Sequence, residues 1–526
     1  ERKGYVIGLS KEPELDPSKI KPLKGISSSQ ETTEEKLIVL AAWMKERYGS
    51  TMAQALKTVL PVREKVRSKE KRRIFLNINE EEAIALAEKL EKSRCKARAR
   101  ILRALCEKPE LDYTEAAKNL GMTSSVLNPL VEQGVIRIQQ DEVYRIPVNG
   151  EAIPREKLSE LTEPQKKVLD QIQEEWKRES PRPVLIHGVT GSGKTQVYMK
   201  LIEQVVEQGR QVIVLIPEIS LTYQTVRRFY GWFGEKVSVL NSRLSLGERY
   251  DQFRRAKQGE IQIMVGPRSA LFTPFSRLGL IIIDEEHEQT YKSESSPRYH
   301  AREVAVQRAA QEGAYVVMGS ATPSLEAYCR AEAGEYLLTK LTARFEERPL
   351  PEVSVVDLRG ELKAGNRSIL SRKLKDSIEK RLERGEQSIL FLNRRGFAGF
   401  VSCRSCGEVL KCPHCDVSLT EHNNGKLICH YCGYERPAVA KCPSCGSPYI
   451  GGFKAGTQQI EQVLHKTFPK ARVLRMDYDT TRNKGSYEQI LSSFAAHEAD
   501  ILVGTQMIVK GHDFPDVTLV GAVAAD

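Results

Sequence analysis

No apolar run in this sequence approaches the roughly 18 residues that a membrane-crossing helix needs. Runs such as "GLIIID" and "VTLVGAVAA" have the length of strands. No secretory leader is legible either, because "ERKGYVIGLS" at the start lacks the apolar core of one. No Met begins the sequence, so it reads as a chain that starts partway into a longer protein. A composition of 40% hydrophobic and 28% charged residues leaves no room for wholesale disorder. Isolated cysteines are scarce: of 11, only Cys95, Cys106 and Cys329 stand alone. Without a leader to an oxidising compartment, the other eight, set in CxxC pairs, read as metal ligands rather than a disulfide framework. These absences point to a cytoplasmic globular protein.

At 526 residues the chain is too long for one core, and three to five domains are expected. A formal net charge of +11 and a pI near 9.0 favour a polyanionic partner such as nucleic acid, with a merely basic soluble protein as the alternative. Along the chain, "LIVLAAWM" and "AQALKTVL" have helical spacing, and "REKVRSKEKRR" over 63–73 is a basic linker or a nucleic-acid contact. Residues 80–146 read as a winged helix. Two helices precede a helix–turn–helix, "DYTEAAKNLG" then "TSSVLNPLVEQG", and "VIRIQQDEVYRIP" over 135–147 reads as a two-strand wing. The densest basic patch is "KSRCKARARILR", six basic residues and no acid from Lys92 to Arg103, either a DNA contact or a solvated helix face.

From about residue 158, short β-branched runs alternate with helical segments: "PVLIHG", "QVIVLIP", "KVSVL", "IQIMVG", "LGLIIID", "AYVVMGS". The alternation restarts with "VSVVDL", "SILFLN", "RVLRMD", "DILVGT" and "VTLVGAV". This is the pattern of two parallel sheets covered by helices, that is, two α/β lobes, the second interrupted by the cysteines.

"GVTGSGKT" matches the phosphate-loop spacing G-x-x-x-x-G-K-[ST] between a strand and a helix. Gly188, Thr190, Gly191, Ser192 and Gly193 let backbone N–H groups approach phosphates. Lys194 reaches the β/γ-phosphates and Thr195 holds Mg²⁺. Asp284, at the end of the apolar run "LIIID", stands where a Mg²⁺-holding carboxylate belongs, and Glu285 beside it orients or deprotonates water. Upstream, Gln165 is placed to read an adenine edge or to be an ordinary polar helix residue.

Zn²⁺ takes four ligands, so four CxxC pairs make two sites, with three possible pairings. The spacer "DVSLTEHNNGKLI" reads as two strands around an "NNG" turn, and such a hairpin brings its ends together. Cys412, Cys415, Cys429 and Cys432 then form one site, leaving Cys403, Cys406, Cys442 and Cys445 for the other. His414, His422 and His430 are left as spectators. A redox cluster and an Fe–S cluster are the alternatives, and a colourless protein argues against the latter.

In order, "GVTGSGKT", "PEISLT", "DEEH", "GSATPS" and "GTQMIVKGHDF" resemble the motifs of superfamily 2 helicases. With "YK…RYHAR", "FLNRRGF", eight cysteines, "KAGTQQIEQVL", "MDYDTT" and the upstream "WMKERYGSTMAQALKTVLP", the chain resembles the bacterial primosomal replication-restart helicases over nearly its whole length.

The resemblance implies a multidomain α/β protein with two RecA-like motor lobes. It implies the tail of a 3′-end-binding domain and linker over 1–70 and a winged helix over 71–150. The lobes fall over 151–345 and 346–526, with a two-zinc insertion over 402–450. It implies a DNA-dependent ATPase moving 3′→5′, using ATP, Mg²⁺ and two Zn²⁺. The implied task is recognising abandoned forks and D-loops and starting the reloading of the replicative helicase. Implied partners are forked and single-stranded DNA, single-strand DNA-binding protein, primosome proteins and the helicase loader, with the chain a monomer. Thr322 is expected to couple hydrolysis to DNA, and Thr505, Gln506 and Lys510 to line the DNA or nucleotide cleft. The segment "EQTYKSESSPRYHAR" resembles the family's aromatic-rich loop, so Tyr291, Tyr299 and His300 are expected to stack on bases, at about 1–3 kcal/mol each. The family's last motif, with its arginines, is expected after "VTLVGAVAAD", where the sequence ends, so weak ATPase is expected of this chain. Competing readings are a translocase acting on RNA or a restriction substrate, and a structural loader for which ATPase is dispensable.

Overall fold

The computed structural model describes residues 35–60, 70–145, 160–217, 223–344, 351–392, 401–505 and 514–523, with Asp16, Pro22 and Ile508. Exceptions within those ranges are Arg94, Met122, Val143, Arg243, Asn423, Asn424, 453–455, Tyr478 and 482–485. The chain divides into two compact units, 1–217 with 229–344, and 218–228 with 345–526. Among the described residues, no helix is long and apolar enough to cross a membrane. The opening segment "ERKGYVIGLS", most of "PEISLT" and most of "FLNRRGF" lie outside the described residues.

The first unit is built on a seven-stranded parallel sheet. Its order is Leu337–Leu341, Val184–Gly188, Tyr315–Ser320, Leu278–Asp284, Gln211–Leu215, Ile263–Gly266, Val237–Val239. The central strands are continuous apolar runs because helices cover both faces, leaving no solvated side to alternate with. The edge strand Leu337–Leu341 was not anticipated from the sequence. It extends the sheet beside the phosphate-loop strand.

Helices Glu35–Arg47 and Met52–Val59 join the core of this unit. Thr51 and Gln54 form a capping box that starts the second helix at a fixed place. Leu37, Leu40, Ala41, Met44, Ala55, Leu56 and Val59 are buried in one cluster with Tyr291, Tyr299, Ala301, Val304 and Ala305. Tyr48 donates to Glu303 at 2.8 Å, and Lys292 lies over the Tyr48 ring.

Residues 70–142 form a smaller body with its own core of Ile74, Ala99, Ile101, Leu102, Leu105, Leu127 and Leu130. Its four helices are Glu80–Lys92, Lys96–Glu107, Tyr113–Leu120 and Ser124–Glu132. Its sheet corrects the expected wing. Strand Ile136–Glu142 pairs antiparallel with Glu70–Leu76, from the segment read as a basic linker, rather than with residues just after it. Ile74 opposite Ile138 seals the core, a long-range pairing that outweighs a local turn. Tyr144 and Arg145 pack instead on helix Leu246–Gln258, where Arg145 meets Asp251 at 3.0 Å.

The second unit carries a four-stranded parallel sheet, ordered Val473–Met476, Ile501–Gly504, Gln387–Leu392, Val517–Val523. Helices Arg372–Arg384 and Thr457–Thr467 bury Ile378, Ile460 and Leu464 against it. The expected strand "VSVVDL" is absent: residues 351–357 are in no strand, and Val353 and Val355 are 82% and 95% exposed. The cysteine-rich insertion lies between strand Gln387–Leu392 and helix Thr457–Thr467. Strand Val401–Cys403 enters it and Ile450–Gly452 leaves it, paired antiparallel.

Candidate functional site

The phosphate loop runs from the end of strand Val184–Gly188 to helix Lys194–Glu207. Gly191 and Gly193 have φ of +77° and +81°, a left-handed region that L side chains rarely adopt, so the loop needs glycine there. Lys194 is buried, its Nζ donating to the Gly188 carbonyl at 2.7 Å. Ser192 Oγ is buried with no hydrogen-bond partner in the described structure. Thr190 and Thr195 are exposed at the helix start, where free backbone N–H groups favour an anion. An orphan hydroxyl, a lysine and a helix N-terminus converging on one glycine loop suit a polyphosphate.

Gln165 lies elsewhere than expected. It is 1% exposed, its Oε1 accepts from Thr162 N at 2.9 Å and its Nε2 donates to Ser192 O at 3.1 Å. Both ends of the amide are engaged inside the protein, so Gln165 buttresses the loop and offers nothing to an adenine edge. A Cβ at Gly193 would overlap its amide, a second reason for glycine there.

Strand Leu278–Asp284 delivers the acidic motif beside the loop. Burial, then the adjacent Glu285 carboxylate, push the Asp284 carboxyl up to about 6. Glu285 adopts φ +47°, a strained conformation for a non-glycine residue. Glu286 is buried and accepts from Arg302 Nη1 at 2.8 Å, Ser324 N at 2.6 Å and Ser324 Oγ at 2.9 Å. His287 Nδ1 lies 2.7 Å from Ser320 Oγ, which also accepts from Thr322 N at 3.0 Å. "DEEH" and "GSATPS" are thus bonded to one another through both Glu286 and His287. Sequence reading missed Arg302 and Ser324, since nothing local marks a buried arginine at the start of a helix as the partner of a carboxylate 16 residues away.

The aromatic segment differs most from expectation. Tyr291 is 1% exposed, its hydroxyl donating to the carbonyls of Leu215 (3.0 Å) and Asp284 (2.7 Å). Tyr299 is 4% exposed and packs edge-on to Phe272. His300 caps helix Ala301–Glu312, accepting from Arg302 N at 3.2 Å, and burial pulls it down to about 4. The rings of Tyr291 and Tyr299 are buried in the core of this unit and leave no open face for a base. Tyr291 and Tyr299 belong to the same buried cluster as residues of helices Glu35–Arg47 and Met52–Val59. Of the second-lobe residues, Thr505 follows strand Ile501–Gly504, while Gln506 and Lys510 lie outside the described residues.

The eight paired cysteines form two clusters, Cys403/Cys406/Cys442/Cys445 and Cys412/Cys415/Cys429/Cys432, the nested pairing. Strands Thr420–Glu421 and Lys426–Ile428 are the hairpin that brings the inner set together. Sulfur–sulfur distances of 3.6 Å (Cys403 to Cys445), 3.7 Å (Cys406 to Cys442) and 3.6 Å (Cys412 to Cys432) exclude disulfides. A tetrahedron with Zn–S of about 2.3 Å has edges of about 3.8 Å, so both clusters fit zinc. The backbone N–H of Cys432 helps pull the Cys429 thiol down to about 7, while the hydrogen bond to Cys432 pushes Cys415 up to about 12. A bound cation would remove that mutual suppression of thiolates.

A glycine loop and a strand-end carboxylate on one parallel sheet, with a further motif bonded to that carboxylate's neighbours, define a phosphate-loop domain of the RecA-like α/β class. A family model for the type III restriction enzyme res subunit matches residues 158–325. The 3′ DNA-binding domain model matches 1–61, and the model of the PriA DNA helicase Cys-rich region matches 412–437. The chain is 47% identical to the replication restart protein PriA of Bacillus subtilis, over 88% of this chain and 58% of that one. Identity to PriA of Synechocystis is 44%, over 79% and 51%, and to PriA of Chlamydia muridarum 40%, over 96% and 68%. The chain belongs to the PriA replication restart protein family, and it spans about half to two thirds of the length of these relatives.

Proposed function

We propose that this chain is part of an ATP-driven 3′→5′ DNA helicase that recognises stalled or abandoned forks and D-loops and begins primosome assembly. The observation that carries this reading is the bonding of "DEEH" to "GSATPS" beside the phosphate loop, through His287–Ser320 and Glu286–Ser324. That bonding lets a shift of the strand-end segment alter the geometry of the acidic motif. Membership in the family supports the task at forks, and the net positive charge of +11 suits a DNA track.

Each side chain then has a task. Lys194 leaves the Gly188 carbonyl to meet the terminal phosphates. Asp284 and the Thr195 hydroxyl are the donors for Mg²⁺, which binds through one or two carboxylates together with phosphate oxygens. When bound, that ion screens the charge that gathers on the phosphates during transfer. Glu285 orients the attacking water and takes its proton. The two zinc clusters make the small insertion rigid without a large core of its own. Winged-helix contact with duplex DNA through residues 71–150, action as a monomer in the cytoplasm, and partnership with single-strand DNA-binding protein, primosome proteins and the helicase loader belong to the same reading.

ATP turnover measured with no nucleic acid, forked DNA, plain duplex and RNA tests it, for this chain and for one extended to the length of its relatives. Forked DNA is expected to stimulate the extended chain most, and Lys194→Ala to abolish the signal. Equal stimulation by RNA, or none by any DNA, refutes the proposal.

A further inference from the structure

Tyr198 lies on the helix that follows the phosphate loop, one turn after Lys194. It is 2% exposed, and its hydroxyl donates to Asp284 Oδ1 at 3.3 Å. The space for that hydroxyl exists because residue 319, which opens "GSATPS", is glycine: a Cβ there would overlap the hydroxyl and lie 2.8 Å from the ring Cζ. Gly319 is also the residue directly opposite Asp284 in the sheet, and its carbonyl accepts from Glu286 N at 3.1 Å. One phenol therefore fills the gap between the phosphate-loop helix, the acidic motif and the next strand end. Tyr291 holds the other side of the same residue, through the Asp284 carbonyl.

We infer that Tyr198 is a positioning residue for the metal-holding carboxylate, and that Gly319 is small so that this hydroxyl can reach Asp284. The inference rests on the Mg²⁺-dependent ATPase reading above. A carboxylate at a strand end has two oxygens and freedom about its last torsion. With Oδ1 held by Tyr198, that torsion is fixed and Oδ2 is the oxygen left for an ion. Burial and the neighbouring carboxylates keep Tyr198 a neutral donor.

The test is the binding of a non-hydrolysable ATP analogue to the zinc-loaded chain, with and without added Mg²⁺, and with no chelator so that the zinc stays in place. Tyr198→Phe removes one hydrogen bond to a charged group and nothing else. The Mg²⁺-dependent gain in affinity is expected to fall about three- to tenfold, with Mg²⁺-free affinity unchanged. Gly319→Ala, which pushes the ring away from the other side, is expected to give the same selective loss. It serves as the second variant if Tyr198→Phe folds poorly. A full Mg²⁺ gain in Tyr198→Phe, or an equal loss with and without Mg²⁺, overturns the inference. If the unaltered chain shows no Mg²⁺ gain at all, the ATPase reading itself has failed.

Discussion

Replacing Arg302 with alanine tests how the acidic motif is held. Glu286 has no exposed side-chain surface, and Arg302, 7% exposed, is the cation that meets it, at 2.8 Å. Alanine would leave a buried carboxylate with only the Ser324 N–H and hydroxyl. Removing one partner of a buried pair costs about 3–5 kcal/mol, because the remaining charge stays out of water without compensation. The sign of the second step is the sharper test. Glu286→Gln added to Arg302→Ala removes the orphaned charge, so the double variant is expected to be more stable than the single one, by roughly 1–3 kcal/mol. All three tryptophans, Trp43, Trp176 and Trp232, belong to the unit that contains this pair. Tryptophan fluorescence in a urea titration therefore follows the relevant unit without signal from the other. A loss below about 1 kcal/mol for Arg302→Ala, or a double variant less stable than the single one, refutes the clamp.

Three other outcomes are expected. Cys429→Ser should lower bound zinc from two equivalents to one, measured by atomic absorption, and Cys442→Ser should do the same through the other cluster; loss of both ions from either variant argues against independent nested sites. Leu40→Ala, at a position with no exposure, should destabilise the tryptophan-bearing unit by about 2–5 kcal/mol; a shift under 1 kcal/mol would mean that the helix is not part of that core. His300 titrates near 4 when folded, against about 6.5 when unfolded, with Arg302, Lys292, Glu303 and Glu286 around it. The unfolded chain thus takes up the proton first as pH falls. Stability on the order of 3 kcal/mol is present above pH 6.5 and is lost progressively down to pH 4. His300→Asn keeps a capping acceptor and does not titrate, so its stability should decline less over that window; identical slopes in urea titrations would refute the assignment.

What was legible in the sequence was what depends on short spacing. Gly191, Gly193 and Lys194 announce a phosphate loop because the turn tolerates little else. Asp284 is legible because an acid directly after four apolar residues marks the end of a buried strand. The nested cysteine pairing follows from one hairpin between Cys415 and Cys429. What was illegible depends on partners far away in sequence. Tyr291 and Tyr299 look like loop aromatics until helices around Leu40 and Leu56, some 240 residues earlier, are seen to cover them. Strand Glu70–Leu76 hides in a run of basic residues because Ile74 is its one buried side chain among the described residues, and its partner Ile138 comes far later in the sequence. Tyr198 reads as one more apolar helix position, since its polar tip has meaning only opposite a glycine in another strand. Conversely, "VSVVDL" has strand composition without a strand, because in the described structure no neighbouring edge pairs with it.

The antiparallel pairing of Val401–Cys403 with Ile450–Gly452 gives the cysteine-rich insertion a property of its own. Its entrance and exit are side by side, and the outer cluster, with Cys403 on the entering strand and Cys445 shortly before the leaving one, ties that neck shut. A segment closed at the neck makes little demand on the sheet that hosts it. Such a piece behaves as a cassette. It can lengthen, shorten or be exchanged between homologues while strand Gln387–Leu392 and helix Thr457–Thr467 keep their places. The host sheet and its cysteine-rich appendage are thereby free to diverge at different rates.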